Sequence, residues 1–178
     1  AGNTVPTNNP VNSSMGNGFL FGLIPIPVLI TIVVVLVMHY VLSQTKFGQY
    51  TYAIGGNRQA AVRAGINVTR HTMQLYLITA LLASFAGIIY TGRFTAGAAQ
   101  AGEATLLDSI AAVVIGGPSL FGGAGTIVGT VIGALIIAVI QFGLVFINVQ
   151  PFWQFIAVGL VIILSVLVDQ SKAQVVKS

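Results

Sequence analysis

The sequence predicts an all-α, polytopic membrane protein with about five transmembrane helices, one of them short, and a short cytoplasmic helix between the first two. Three observations carry that prediction. Hydrophobic residues make up 56% of the 178 positions and charged residues only 6%, whereas soluble domains carry roughly 25% charged residues. Mean hydropathy is +0.95, and the apolar residues gather into discrete runs of membrane-spanning length. The cations cluster: Lys46, Arg58, Arg63 and Arg70 lie together between two runs, and Lys172 and Lys177 lie at the C-terminus. The net charge of +4 therefore reads as the positive-inside pattern and not as a nucleic-acid footprint.

Residues 1–18 hold Asn3, Asn8, Asn9, Asn12, Asn17, Pro6 and Pro10 without a charge, an extracytoplasmic polar arm or loop. The opening Ala1-Gly2-Asn3, with neither initiator Met nor signal peptide, suggests a fragment or the second half of a longer protein. The first apolar run, 19–42, is long enough for a hydrocarbon core of about 30 Å. Pro25 and Pro27 mark its first turn, where a missing N–H costs little. A polar interval, 43–71, follows. The run 73–91 is just long enough to span, 126–147 spans comfortably, and 152–168 spans if nearly upright. Segment 105–115 is too short for hydropathy to decide. With 43–71 cytoplasmic, four crossings leave Lys172 and Lys177 outside, and a fifth through 105–115 brings them inside. The expectation is a membrane domain over 19–171 with five crossings and a cytoplasmic tail, 172–178; a re-entrant half-helix competes for the short segment.

Gly125, Gly129 and Gly133 recur every four residues, giving the third long span a bare stripe for close helix packing. Ala83, Gly87 and Thr91 do the same on the second. Such stripes serve either static packing or a moving seam. Catalytic chemistry is poorly supplied. The acids are Glu103, Asp108 and Asp169 and the histidines His39 and His71, with no metal or triad spacing; the absence of cysteine excludes disulfides and thiolate sites. Each His is expected to pack or sit at the interface. Asp108 falls in the first turn of the short segment, either stabilising a helix start or making a polar contact along a transport path. The glycine-rich stretch 116–125 lacks the Gly-Lys-Ser/Thr of a phosphate loop, so a tight turn between two helices explains it and this chain binds no ATP.

The polar interval contains Gly55-Gly56-Asn57-Arg58-Gln59-Ala60-Ala61-Val62-Arg63-Ala64-Gly65-Ile66. A helical wheel over 57–65 places Ala60, Ala61, Ala64 and Gly65 on a smooth face flanked by Arg58 and Arg63. A helix so short gains its stability by docking. The large apolar anchors of a lipid-surface helix are missing from this face, which favours a protein groove.

Ala60-Ala61, three residues, then Gly65 resembles the Ala-Ala-x-x-x-Gly core of the cytoplasmic loop of ATP-binding-cassette importer permeases, with Gln59 where that motif often has Glu. Tyr52-Ala53-Ile54-Gly55-Gly56-Asn57 and Ala64-Gly65-Ile66-Asn67-Val68 resemble the monosaccharide branch: ribose, xylose, galactoside and related permeases. Leu107-Asp108-Ser109-Ile110-Ala111-Ala112-Val113-Val114-Ile115-Gly116-Gly117, Gly129-Thr130-Val131-Ile132-Gly133-Ala134 and Pro151-Phe152-Trp153-Gln154 continue the likeness, which runs over about 48–169. Pro118 departs from the usual Thr and stiffens its turn, and 98–105 lacks the Gly-x-Gly-Tyr-Glu-like approach of many members. The resemblance implies the C-terminal half of a permease in the bacterial-type inner membrane. Its implied partners are a cytoplasmic ATPase carrying ATP and Mg, a second permease subunit in a homodimer, an extracytoplasmic sugar-binding protein and membrane lipid; no cofactor is expected in this chain. Gly56, Asn57, Arg58, Ala60, Ala61, Arg63, Gly65 and Ile66 would form a coupling helix against the ATPase. Tyr76, Asp108, Gln141, Phe146 and Asn148 are pathway candidates by polarity and position, with packing the alternative for each. A permease for branched-chain amino acids and an ATPase-independent channel or carrier are the rival readings.

Overall fold

A computed structural model describes residues 5–6, 16–20, 24–94, 96–97, 102–119 and 122–175. Among the described residues seven helices have full bounds: α1 Ile26–Gln44, α2 Lys46–Gly56, α3 Arg58–Arg63, α4 Val68–Phe94, α5 Gly102–Ile115, α6 Ile127–Phe146 and α7 Pro151–Val175. Among the described residues four two-residue strands add to the expected all-α plan. Val5–Pro6 pairs antiparallel with Ala96–Gly97, and Phe19–Leu20 with Ile24–Pro25. Two compact units result, Ala1–Tyr50 with Ala61–Gly102 and Thr51–Ala60 with Glu103–Ser178.

In the first unit, α1 starts seven residues later than hydropathy alone suggests, because Phe19–Leu20 is used in a hairpin. Ile24 precedes a proline and is therefore biased to extended backbone. Pro25 is the N-cap, and Pro27 sits in the first turn as expected. Asn17 donates its side-chain amide to the Gly92 and Arg93 carbonyls at 3.3 Å, and the Ile26 N–H bonds the Gly18 carbonyl at 2.9 Å. The described end of the polar arm is thus tied to the C-terminal turn of α4; residues 1–4 and 7–15 lie outside the described ones.

In the second unit, a small core of Ala111, Ile137 and Val158, flanked by Ile115 and Ile162, joins α5, α6 and α7. The α5–α6 seam is closer still. A Cβ added at Gly129 would meet the Gly116 carbonyl, and one at Gly133 the Ala112 carbonyl. Only residues without side chains allow backbones this near. Gly125 is a correction to the predicted stripe. It precedes α6, has φ 148° and packs on Pro118, so the stripe on the helix consists of Gly129 and Gly133. Thr126 caps α6 by accepting the Gly129 N–H at 3.0 Å. The stretch between α5 and α6 is a turn closed by Ser119 N–H to the Ala124 carbonyl at 3.0 Å.

Helices α1, α4 and α6, with 19, 27 and 20 residues, are long and apolar enough to cross a membrane. Thr105–Ile115 and Pro151–Leu167 are shorter apolar helices. Most large apolar side chains on these helices, such as Leu36, Leu81 and Val139, are exposed, the surface expected of helices facing lipid or other helices.

Candidate functional site

The polar interval is more structured than its composition suggests. Thr45 is extended (φ −112°, ψ 158°) and separates α1 from α2. Helix α2 then turns back so tightly that a Cβ on Gly48 would strike the Leu42 carbonyl. Phe47 on α2 lies against His71 on α4, ring centroids 4.6 Å apart, and Tyr50 meets the same ring edge-on at 6.1 Å. His71 is buried, the packing alternative of the two roles expected for each histidine, whereas His39 is exposed on α1.

Helix α3 is short but capped at both ends. Asn57 is its N-cap, its side-chain oxygen accepting the Ala60 N–H at 2.9 Å, an arrangement worth about 1 kcal/mol. At the other end the Gly65 N–H bonds the Val62 carbonyl at 3.0 Å and the Ile66 N–H bonds the Ala61 carbonyl at 3.1 Å. With Gly65 at φ 82°, this is a Schellman stop, and the glycine provides the left-handed backbone it needs. Asn67 then caps α4 through the Arg70 N–H at 3.0 Å.

These caps revise the smooth face predicted from the wheel. The helix is Arg58–Arg63, so Ala64 and Gly65 belong to the turn that ends it. Ala61 is 3% exposed and points into the protein. Arg58, Gln59, Ala60, Val62, Arg63, Ala64 and Gly65 are exposed, and Ile66 is half-buried. The Ala-Ala-x-x-x-Gly pattern therefore combines one exposed alanine, one buried alanine and a helix terminator.

Sequence reasoning missed what holds the end of α2. The Tyr52 hydroxyl donates to the Gly125 carbonyl at 2.5 Å. One turn on, Gly55 and Gly56 meet Gly122 and Gly123 backbone to backbone: a Cβ on Gly55 would lie 2.5 Å from the Gly123 nitrogen, and one on Gly123 2.8 Å from the Gly56 Cα. Gly122 and Gly123 have φ 91° and 81°. Tyr52, Gly55 and Gly56 stand inside the run that carries the family resemblance, but the turn they meet is about 70 residues away, beyond the reach of local pattern.

A cleft of about 360 Å³ lies along α5 and α6, lined by Asp108, Ser109, Ala112, Val113, Thr130 and Gln141 among others. At its polar end the Gln141 amide donates to the Asp108 carboxylate at 2.6 Å. Because α5 begins at Gly102 and not near Thr105, Asp108 stands in the second turn. The helix-start role predicted as one alternative is thereby overturned, and the polar contact remains. Of the five pathway candidates, Asp108 and Gln141 are brought together. Tyr76 is 73% and Phe146 91% exposed, and neither belongs to this cleft. Asn148 has φ 56°, its N–H bonds the Val145 carbonyl and the Val149 N–H bonds the Leu144 carbonyl, both at 3.0 Å. It is the left-handed residue that ends α6, a structural duty composition could not reveal. Of segment 98–105, residues 98–101 lie outside the described ones, as do 176–178 of the tail.

A family model described as branched-chain amino acid transport system / permease component matches residues 2–166. The chain belongs to this permease family. Among the chain's relatives is the ribose import permease protein of Bacillus subtilis (strain 168), 44% identical over 158 residues, covering 89% of this chain and 49% of that protein. The xylose transport system permease protein of Haemophilus influenzae is 43% identical over 148 residues, covering 83% and 40% respectively. The fructose import permease protein of Rhizobium meliloti is 40% identical over 160 residues, covering 89% and 43%. The chain spans about half the length of the curated relatives it matches. No solved structure matches it significantly. Family membership and the apolar helices together make the permease a multi-pass membrane protein.

Proposed function

We propose that this chain is part of a permease subunit of an ATP-binding-cassette importer that moves a monosaccharide across the cytoplasmic membrane, driven by a separate ATPase. The observation that carries the reading is its 40–44% identity to permeases named for ribose, xylose and fructose over more than four-fifths of its length. In this reading 43–71 and the C-terminus face the cytoplasm, the chain crosses the membrane five times, and the importer contains two permease subunits and an extracytoplasmic sugar-binding protein.

The coupling contact is proposed for the exposed end of α3: Asn57, Arg58, Ala60 and Arg63, with Gly56 before it and Gly65 and Ile66 after it. Ala60 keeps the approach close while the two arginines offer charge to an acidic rim. Ala61 supports this contact from beneath. ATP binding to the partner would favour one orientation of the helices over another, and solute movement follows from the free-energy difference between those states. Asp108 and Gln141 supply a carboxylate and an amide suited to the hydroxyls of a sugar, inside a mostly apolar cleft that Ser109 and Thr130 also line.

Uptake of labelled ribose, xylose and fructose against leucine, by cells lacking their own importers and carrying the full-length subunit with its operon partners, tests the substrate class. Sugar uptake without leucine uptake is expected; the reverse establishes the branched-chain amino acid reading, which the family description favours. For the coupling contact, Ala60→Trp adds bulk at an exposed site without disturbing the buried Ala61. Loss of ATPase co-purification at normal membrane levels is expected, and full retention would sink the assignment of the coupling contact to α3.

A further inference from the structure

We infer that Tyr52, with the glycine contact beside it, is a positioning residue that makes the docking segment and helix α6 move as one body; this rests on the coupling role proposed for α3. Residues Thr51–Ala60, the end of α2 and the beginning of α3, belong to the same compact unit as α5, α6 and α7, while the rest of α3 does not. Two independent contacts make that assignment physical. The Tyr52 hydroxyl grips the Gly125 carbonyl at 2.5 Å, one residue before the Thr126 that caps α6. Gly55 and Gly56 abut Gly122 and Gly123 with no side chain between them.

A backbone-to-backbone contact transmits displacement better than one made through flexible side chains, because no rotamer can yield to absorb it. The hydrogen bond adds direction, since sliding α2 along the turn breaks it while the glycines alone would permit the slide. From Thr126 onward the path stays rigid. Gly129 and Gly133 seat α6 on the Gly116 and Ala112 carbonyls of α5, and Gln141, further along α6, holds Asp108. A push on α3 therefore reaches the polar cleft through Tyr52, the turn 122–125 and α6. A Phe at position 52 keeps the ring and the packing but removes the grip.

The test uses the full-length subunit assembled with its ATPase in lipid nanodiscs. These 178 residues hold no cysteine; once any cysteine in the rest of the subunit and in the ATPase is replaced by serine, spin labels at Gln59→Cys and Phe142→Cys, both exposed, report the separation of α3 and α6. With Tyr52 present, that separation should be the same in nucleotide-free and ATP-bound complexes. In Tyr52→Phe it should shift on ATP binding by about an ångström or two, the scale of helix displacements in switching proteins. Tyr40→Phe, an exposed tyrosine on α1, is the control and should behave like the parent. Gly55→Ala, whose Cβ forces the turn away, should give the same shift as Tyr52→Phe if the glycine contact shares the work. A separation that changes with ATP in the parent, or stays fixed in Tyr52→Phe, overturns the inference. A parent subunit that retains no ATPase overturns the coupling role itself, a result read on the purified complex before any distance is measured.

Discussion

Helices α4 and α6 carry the same signature, small residues four apart, and use it oppositely. On α6, Gly129 and Gly133 are pressed against the Gly116 and Ala112 carbonyls of α5. On α4, Ala83 is exposed, a Cβ at Gly87 would meet open space, and the Thr91 hydroxyl bonds the Gly87 carbonyl of its own helix at 2.5 Å. The difference teaches that small residues permit close approach without specifying it. What specifies it on α6 is the company the glycines keep: a short connecting turn that delivers α5 and α6 side by side, and the Gln141–Asp108 bond further along the seam. Helix α4 has neither among the described residues.

The contrast is open to attack from several sides. Gly133→Leu should have the largest effect, since its side chain must occupy the space of the Ala112 carbonyl. Overpacking of this kind costs about 1–3 kcal/mol or more, and we expect little folded protein on fluorescence-detected size exclusion. Gly129→Ala should be milder than Gly133→Leu because it adds a single methyl group, but that group would collide with the Gly116 carbonyl oxygen and must push α6 off the α5 backbone; a reduced detergent melting temperature is the expected result. Gln141→Leu removes the hydrogen bond that pins the far end of the seam. Polar pairs inside membrane proteins average about 0.6 kcal/mol, so its stability loss should be the smallest of the three on α6. Sugar uptake should fall more than stability does if the pair also meets the solute.

Much of the helical plan was legible in the sequence. Thr126 and Ile147 bracket α6 as hydropathy placed them, and Pro25 and Pro27 fall in and beside the first turn of α1. The wheel over 57–65 also put a short helix where α3 stands, without its Asn57 cap. The misses share one cause: periodicity describes a single helix and is blind to what lies opposite. It put Gly125 on α6, although the helix cannot begin before its Thr126 cap. It put Ala61 on the docking face, although the chain turns that side inward. Polarity and position, equally blind, made Asn148 a pathway candidate, whereas its left-handed backbone is what ends α6. Tyr52 was visible as part of a motif, but its partner is fixed only once α5, the turn and α6 have folded.

Gly87→Ala is the mildest substitution and the most discriminating for the contrast. Glycine inside a helix costs about 0.5–1 kcal/mol relative to alanine through backbone entropy. At Gly129 the same change sets that gain against a collision with the Gly116 carbonyl, and the collision dominates. At Gly87 nothing stands within 4 Å of the new methyl group, so the entropy gain is left unopposed. The expected outcome is a stability increase of up to about 1 kcal/mol, seen as a small rise in detergent melting temperature of the chain spanning these residues. The comparison sharpens further if the substitution is repeated in the full-length subunit. A gain there means that the α4 stripe faces lipid and its spacing carries no packing partner. A loss means that a helix from outside this chain lies against Gly87, and that the two stripes are alike after all.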